Sequence, residues 1–271
     1  MIIHGDCIEE LSKMDSESVD CIITSPPYWK GFAYEAYFNS YAQYIRWSKK
    51  WLAECKRVLK PTGTLWLNVI NDSEVSTRAF ELLNIATEEL MYKLHDTVIW
   101  YRFNQQPCNS NRQLTNQVEY VFMLRHTSAG VELNKEAAYN QNPTIFKTKN
   151  VGNVWEIPFN QGDKVSKNDF GRKETKSQYG HSGCPTALVE TCMLLSTKED
   201  DVILDCFAGT GTVGLVAKRH KRNYIMIEKD QSYYNLITER LFPSTPEIEV
   251  DIVEADKAGC SKCSRKKRIK S

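Results

Sequence analysis

No apolar run in the chain is long enough to cross a bilayer, which leaves no place for a membrane-spanning helix. The first residues, MIIHGDCIEEL, lack the basic flank and long apolar core of a secretion signal. Excess charge is nearly absent: 35 Lys and Arg against 34 Asp and Glu leave a net charge of +1. A polyanionic partner would have to meet clustered positive charge, because none is spread over the whole chain. Histidine is scarce, with 5 residues and no H-x-x-H or H-E-x-x-H spacing, so no metal site is expected. The 9 cysteines are scattered and odd in number, unlike the framework of a disulfide-stapled domain. Reduced thiols in a cytoplasm-like compartment are the expectation. Internal repeats are lacking as well.

What is present suits a globular protein: 41% hydrophobic and 25% charged residues in 271, enough for one large domain or one domain with an insertion. Residues 1–5 and 19–24 are short, β-branched and apolar, and read as strands. Between Tyr37 and Leu59 the residues Tyr41, Tyr44, Ile45, Trp51, Leu52, Cys55 and Val58 recur at helical spacing, and Lys60-Pro61-Thr62-Gly63 ends the helix. Thr64–Ile70 predicts a strand, residues 76–93 a helix, and His95–Tyr101 and Val118–Leu124 two strands. These last two are expected to be antiparallel, since no helix of useful length separates them. Further on, residues 184–197 predict a helix, Val202–Phe207 a strand, Gly211–His220 a helix, Asn223–Ile227 a strand, and a last helix runs to about Leu241. Alternating strands and helices imply an α/β, doubly wound, mostly parallel sheet, which binds ligands beyond the carboxyl ends of its strands. Residues 126–180 interrupt this pattern with a polar, weakly periodic stretch rich in Asn, Gln, Lys and Gly. Such an insertion is a functional loop or a polar surface excursion.

Two turns carry chemistry. T-S-P-P-Y-W, Thr24 to Trp29, stops an apolar strand with two prolines, which fit neither a central strand nor a helix interior. It serves either to pack Tyr28 and Trp29 in the core or to work on a flat substrate. The second turn, D-C-F-A-G-T-G-T-V-G, holds G-x-G-x-x-G at Gly209, Gly211 and Gly214 between a predicted strand and a predicted helix. Glu228 closes the next strand, at the separation where a carboxylate meets a ribose hydroxyl pair. A dinucleotide needs two mononucleotide-binding halves, and too little chain follows Glu228 for a second one. The rest of the sheet therefore comes from upstream, with the glycine loop last and the Pro-Pro turn first.

With S-P-P-Y at Ser25–Tyr28, F-A-G-T-G at Phe207–Gly211 in that order, and Gly5-Asp6 near the start, the chain resembles the permuted β group of S-adenosylmethionine-dependent DNA amino-methyltransferases. The resemblance covers residues 1–125 and 181–242; His181-Ser182-Gly183-Cys184-Pro185-Thr186 departs from the family's compact H-P-[T/A]-x-K-P by lacking the lysine. It implies a circularly permuted, seven-stranded Rossmann-like methyltransferase sheet, with residues 1–125 as catalytic half, 126–180 as target-recognition insertion, 181–242 as cofactor half and 243–271 as a basic tail. It implies S-adenosyl-L-methionine as cofactor and double-stranded DNA as partner, with a homodimer left open. Ser25, Pro26, Pro27 and Tyr28 would then be catalytic, with Trp29 beside the base. Asp6, Cys7, Asp205, Phe207, Gly209, Thr210, Gly211 and Glu228 would hold the cofactor, and Lys147, Lys149, Arg172 and Lys173 would meet DNA.

Serine in the first position of the tetrapeptide resembles the cytosine-N4 enzymes more than the adenine-N6 ones; adenine is the first alternative. An RNA or protein-glutamine target is a further one, against which the permuted order speaks, and a non-catalytic binding module is another. Pro107-Cys108 has the residues of a C5-cytosine thiolate site, but S-P-P-Y and the order of parts do not belong to such enzymes, so an incidental cysteine is expected. Cys260-x-x-Cys263 offers half a zinc site in a basic run, read as a solvated tail with non-specific phosphate affinity or as a nuclear-localisation-like signal. The expected location is cytoplasmic and nucleoid-associated in a prokaryote, nuclear in a eukaryote.

Overall fold

The computed structural model describes residues 1–29, 38–71, 77–105, 107–109, 111–127, 132–146, 148–158 and 184–243. In chain order the strands are β1 (Ile2–His4), β2 (Val19–Thr24), β3 (Leu59–Val69), β4 (Lys93–Tyr101), β5 (Val118–Arg125), β6 (Val154–Glu156), β7 (Val202–Asp205) and β8 (Asn223–Glu228). The helices are α1 (Cys7–Ser12), α2 (Tyr41–Val58), α3 (Arg78–Asn84), α4 (Lys135–Gln141), α5 (Thr186–Ser196), α6 (Thr212–Arg219) and α7 (Gln231–Leu241).

Strand β2 is apolar on both faces: Cys21 and Ile23 enter one core layer and Ile22 the other. A strand buried on both faces needs neighbours on both edges and helices above and below. It pairs parallel with β3 and with β7, inside a sheet ordered β1-β8-β7-β2-β3-β5-β4-β6. Helix α2, capped by the Ser40 hydroxyl on Gln43 N, buries Tyr44, Trp51, Leu52, Cys55 and Val58 against one layer. Helices α5, α6 and α7 bury Leu188, Val189, Val216, Ile237 and Leu241 in the other.

The chain leaves β2 through α2 toward β3 and leaves β7 through α6 toward β8, so the strand order reverses between β2 and β7. That reversal opens a crevice at the carboxyl ends of these two strands. The expected antiparallel pair is present as β4 and β5, and β5 also runs antiparallel to β3.

Three expectations need correction. The sheet has eight strands, because β6 from the expected insertion adds to the edge, parallel to β4. Residues 132–158 are thus partly core: Phe146, Val151, Trp155 and Ile157 are buried and α4 packs on α5. Their spacing among Asn and Lys has no period, so only the fold shows that they share a layer. The helix expected over 76–93 is α3 followed by a π-helical turn, Ile85–Glu89, and it ends before Met91, whose φ is +60°. Lys60-Pro61-Thr62-Gly63 lies within β3 instead of ahead of it; Leu59 to Thr64 stands against Val19 to Cys21, and the surplus bulges out with Pro61 and Thr62 exposed. Among the described residues no helix is long and apolar enough to cross a membrane. Residues 128–131, 147 and 159–180 of the insertion, residues 181–183 ahead of α5, and the tail from 244 to 271 lie outside them.

Trp155 is 1% exposed, its ring centroid 6.0 Å from that of Trp66, and its indole N–H donates to Gly152 O at 2.8 Å. Trp155→Ala should cost about 3–5 kcal/mol of unfolding free energy in urea; a loss under about 1 kcal/mol would show that β6 is an appendage.

Candidate active site

One cavity of about 610 Å³ occupies the crevice, within the usual size of a small-molecule site. Thr24 ends β2 buried at 3% exposure, and its hydroxyl donates to Asp205 Oδ1 at 2.7 Å. Ser25, Pro26, Pro27 and Tyr28 follow along the cavity wall. Prolines here cost no ladder hydrogen bond, since β2 has ended, and they fix the backbone that presents the Ser25 and Tyr28 side chains. The two hydroxyls hydrogen-bond to each other, and both reach Asn68 Oδ1 at 3.4 Å.

Facing them is the turn after β7. Phe207 N donates to Asp205 Oδ1 at 3.1 Å, so a single carboxylate oxygen holds both turns. Gly209 and Gly211 have φ of +52° and +81°, which glycine adopts without strain. A Cβ on Gly211 would also lie 3.0 Å from Ile237 of α7. Arg240 of α7 steadies the loop by donating to Thr210 O at 2.8 Å. Glu228 Oε2 accepts from Gly209 N and Oε1 from Asp230 N, each at 2.8 Å, leaving further lone pairs toward the cavity. Asp6 caps α1 through Ile8 N at 3.0 Å and meets Lys229 Nζ at 3.1 Å. Cys7 lines the same wall, and Phe207 packs edge-on against Trp51.

The structure thus brings to one cavity the four tetrapeptide residues and the residues expected at the cofactor, from Asp6 to Glu228, with Gly211 just behind the wall at the start of α6. Trp29 is placed elsewhere: at φ +51° its ring turns onto Tyr41, with centroids 5.3 Å apart. Lys149 lies on the surface, paired with Glu136 at 2.8 Å, where their hydrogen bond and then their opposite charges favour the ionised form of each. Lys147, Arg172 and Lys173 are outside the described residues. Cys108 is exposed, while burial pushes up the thiols of Cys7, Cys184 and Cys192, which line the cavity, so these three are poor nucleophiles. Among the described residues no cluster suited to a metal ion occurs.

Sequence reasoning missed Asn68, Arg102 and Glu119, which also line the cavity and are 6%, 4% and 6% exposed. The available signal was a lone charge in the apolar strand V-E-Y-V-F-M-L and an Asn closing L-W-L-N.

Residues 19–239 match the family described as DNA methylase, of N6 and N4 type. The chain is 31% identical over 257 residues to Type II methyltransferase M.HinfI of Haemophilus influenzae, spanning 89% of this chain and 67% of the relative. It is 30% identical over 260 residues to Type II methyltransferase M2.DpnII of Streptococcus pneumoniae, spanning 89% of each. Among solved structures it is similar to the PvuII DNA methyltransferase, titled cytosine-N4-specific, with a TM-score of 0.70 at 21% identity over 90% of this chain and 87% of that one. It is also similar to a DNA modification methylase of Thermus thermophilus in complex with S-adenosyl-L-methionine, with a TM-score of 0.62 at 21% identity over 89% and 93%. At such identities the structural likeness speaks for the fold alone.

Burial raises the Asp205 carboxyl from 3.8 to about 7, against the opposing hydrogen bonds of Thr24 and Phe207 N. Between these values the folded protein holds a proton that the unfolded chain has lost. The stability this gives is complete at low pH and is lost as pH rises through about 7. In urea unfolding from pH 5 to 8, the ligand-free protein should lose stability relative to Asp205→Asn by on the order of a few kcal/mol. Parallel curves would show that the carboxyl is not held protonated.

Proposed function

From the premise that the chain belongs to the N6/N4 DNA methylase family, we propose that it methylates the N4 amine of a cytosine flipped out of duplex DNA at a specific site. Methyl transfer from S-adenosyl-L-methionine to an exocyclic amine of DNA is the family's reaction. The observation that carries the proposal for this chain is the placement of the Ser25–Tyr28 turn and the glycine loop on adjacent strands around one cavity.

The cavity fits such a cofactor. Its glycine loop leaves backbone without side chains, and Asp6, Asp205 and Glu228 offer acceptors for hydroxyl, amino and ammonium groups. When bound, it would supply an electrophilic methyl on a sulfonium, with a neutral thioether as the leaving group. Asp205 gains most from a cation, since a positive charge beside it restores the ionised carboxylate that burial disfavours.

The target amine is a weak nucleophile because its lone pair is delocalised into the ring. Acceptors for its two hydrogens favour the pyramidal nitrogen and fix the line of attack. The Pro26 carbonyl and the Ser25 hydroxyl take that role, and the Tyr28 ring stacks on the base. The methylated nitrogen then loses one hydrogen as a proton. A paired base cannot enter the cavity, so it leaves the helix at a cost of about a few kcal/mol, offset partly by stacking. Serine is a neutral acceptor, and its presence in place of aspartate supports cytosine. Lys149 can turn to a phosphate at little cost, because a fully exposed ion pair such as Lys149–Glu136 is screened by solvent.

Incubation with labelled cofactor and mixed-sequence DNA, followed by digestion to nucleosides, should place the label on N4-methylcytosine. Label on N6-methyladenine would overturn the cytosine assignment, and no label would overturn the enzymatic one. Tyr28→Ala should slow transfer by about ten- to a hundredfold, the worth of one base–aromatic stack, with unchanged cofactor affinity in calorimetry. Loss of cofactor affinity and fold together would assign Tyr28 to the core.

A further inference from the structure

Ser25 poses a problem that an aspartate would not. Its hydroxyl carries a hydrogen, and if that hydrogen points into the cavity it opposes the amine it should receive. Accepting the amine requires the Ser25 hydrogen to be spent elsewhere, every time. The residues behind it bear on this.

Asn68, near the carboxyl end of β3, has an amide whose two ends differ. Its Nδ2 donates to Glu119 Oε2 at 3.0 Å and lies 3.4 Å from Tyr120 O, so both N–H groups point toward β5. Its Oδ1 is thereby turned toward Ser25 Oγ and Tyr28 Oη, each 3.4 Å away. Glu119 is held by Arg102 Nη1 at 3.0 Å, and Arg102 Nη2 donates to Asn116 O at 2.6 Å. The pair is nearly closed to solvent, with side chains 4% and 7% exposed, where electrostatic orientation is strong. Carboxylates accept and do not donate. Glu119 therefore admits one orientation of the Asn68 amide, and with it Oδ1 is an acceptor for the hydroxyl pair.

We propose that Glu119, fixed by Arg102, is a positioning residue that locks the Asn68 amide and so makes Ser25 an obligate acceptor for the target amine. With Asn68 Oδ1 facing the hydroxyls, the Ser25 hydrogen is taken by Asn68 or by Tyr28, and its lone pairs face the cavity. Were the amide reversed, Nδ2 would occupy a Ser25 lone pair and Asn68 could no longer take the hydroxyl hydrogen, so Tyr28 Oη would have to draw it from the substrate unaided. The inference rests on the proposed amine methylation, deepening it with the device that sets the polarity of its acceptor.

The test exchanges donor and acceptor while keeping shape. Glu119→Gln places an amide that can donate to Asn68 Oδ1 and so reverse it; kcat should fall about a hundredfold or more, the scale for losing one oriented polar group. Dissociation constants for cofactor and for DNA should stay within about threefold, a bound well below that effect. The double variant Glu119→Gln with Asn68→Asp keeps one carboxylate in the buried cluster and leaves the residue at 68 able only to accept. Its kcat should return to within about tenfold of the wild type. Asn68→Asp alone brings two carboxylates about 3 Å apart, so they share a proton; its kcat should fall toward alkaline pH where the wild type does not.

A wild-type kcat in Glu119→Gln would overturn the inference, as would a change confined to KM for DNA, which would mean that the pair reads the base directly. If Glu119→Gln unfolds, the charge-conserving double variant decides: a folded, cofactor-binding protein with under about 1% of wild-type kcat refutes the lock. A wild type that methylates neither base refutes the proposed function instead, so the two failures are distinct.

Discussion

The hydroxyl of Thr24 and the carboxyl of Asp205 meet at 2.7 Å between β2 and β7, where the direction of winding reverses. Almost everything about the cavity follows from that contact. Thr24 is the last residue of β2 and Asp205 the last of β7, so the bond ties together two strand ends from opposite ends of the sequence. The same Asp205 oxygen accepts from Phe207 N, which starts the glycine turn. One buried oxygen thus ties the Ser25–Tyr28 turn to the glycine loop. The order of the motifs along the chain ceases to matter, because parallel pairing of Cys21 with Ile203 and Ile22 with Leu204 puts both turns on the same side.

That arrangement is costly without ligand. Five acidic side chains line one cavity: Asp6, Glu119, Asp205, Glu228 and Asp230. Asp6 is answered by Lys229 and a helix cap, and Glu228 by two backbone N–H groups, yet burial still raises the Glu228 carboxyl. Burial raises the Asp205 carboxyl to about 7, and the two neutral donors that meet it, the Thr24 hydroxyl and Phe207 N, only partly oppose this. Functional sites are where such unrelieved burial persists, since the ligand supplies the missing charge. On the proposed reading of Asp205, the fold's stability and its affinity for a cationic cofactor are coupled through one carboxyl group.

The legible parts of the sequence were those whose meaning is local. Pro26-Pro27 and Gly209–Gly211 speak through backbone geometry, and α2 through its period, so the α/β class and both turns could be read directly. What depends on partners far along the chain could not. The eighth strand rests on Trp155 meeting Trp66 and Phe146, a packing relation with no spacing to announce it. Trp29 looked equivalent to Tyr28, but a positive φ sends its ring to Tyr41. The polar chain behind Ser25 needs the antiparallel register that sets Val69 opposite Tyr120 and Trp100 opposite Glu119. Neither Asn68 nor Glu119 forms a motif with its sequence neighbours.

This hidden layer bears on why the first position of the tetrapeptide is serine. An aspartate there would accept from any direction, so its polarity would need no support. It would also add a carboxylate to a cavity already lined by Asp205 and by the Glu119–Arg102 pair, and like charges in a poorly solvated space raise one another's pKa. A protonated aspartate would donate where it should accept. Serine avoids that conflict but brings a hydrogen whose direction must be controlled. Control by geometry requires an amide that cannot turn, and an amide cannot turn when its N–H groups face a carboxylate fixed by a buried guanidinium. Under the proposed lock, Ser25 and Arg102, just past the ends of β2 and β4, join Asn68 of β3 and Glu119 of β5 in one unit, and a change at any of them would alter what Ser25 can accept.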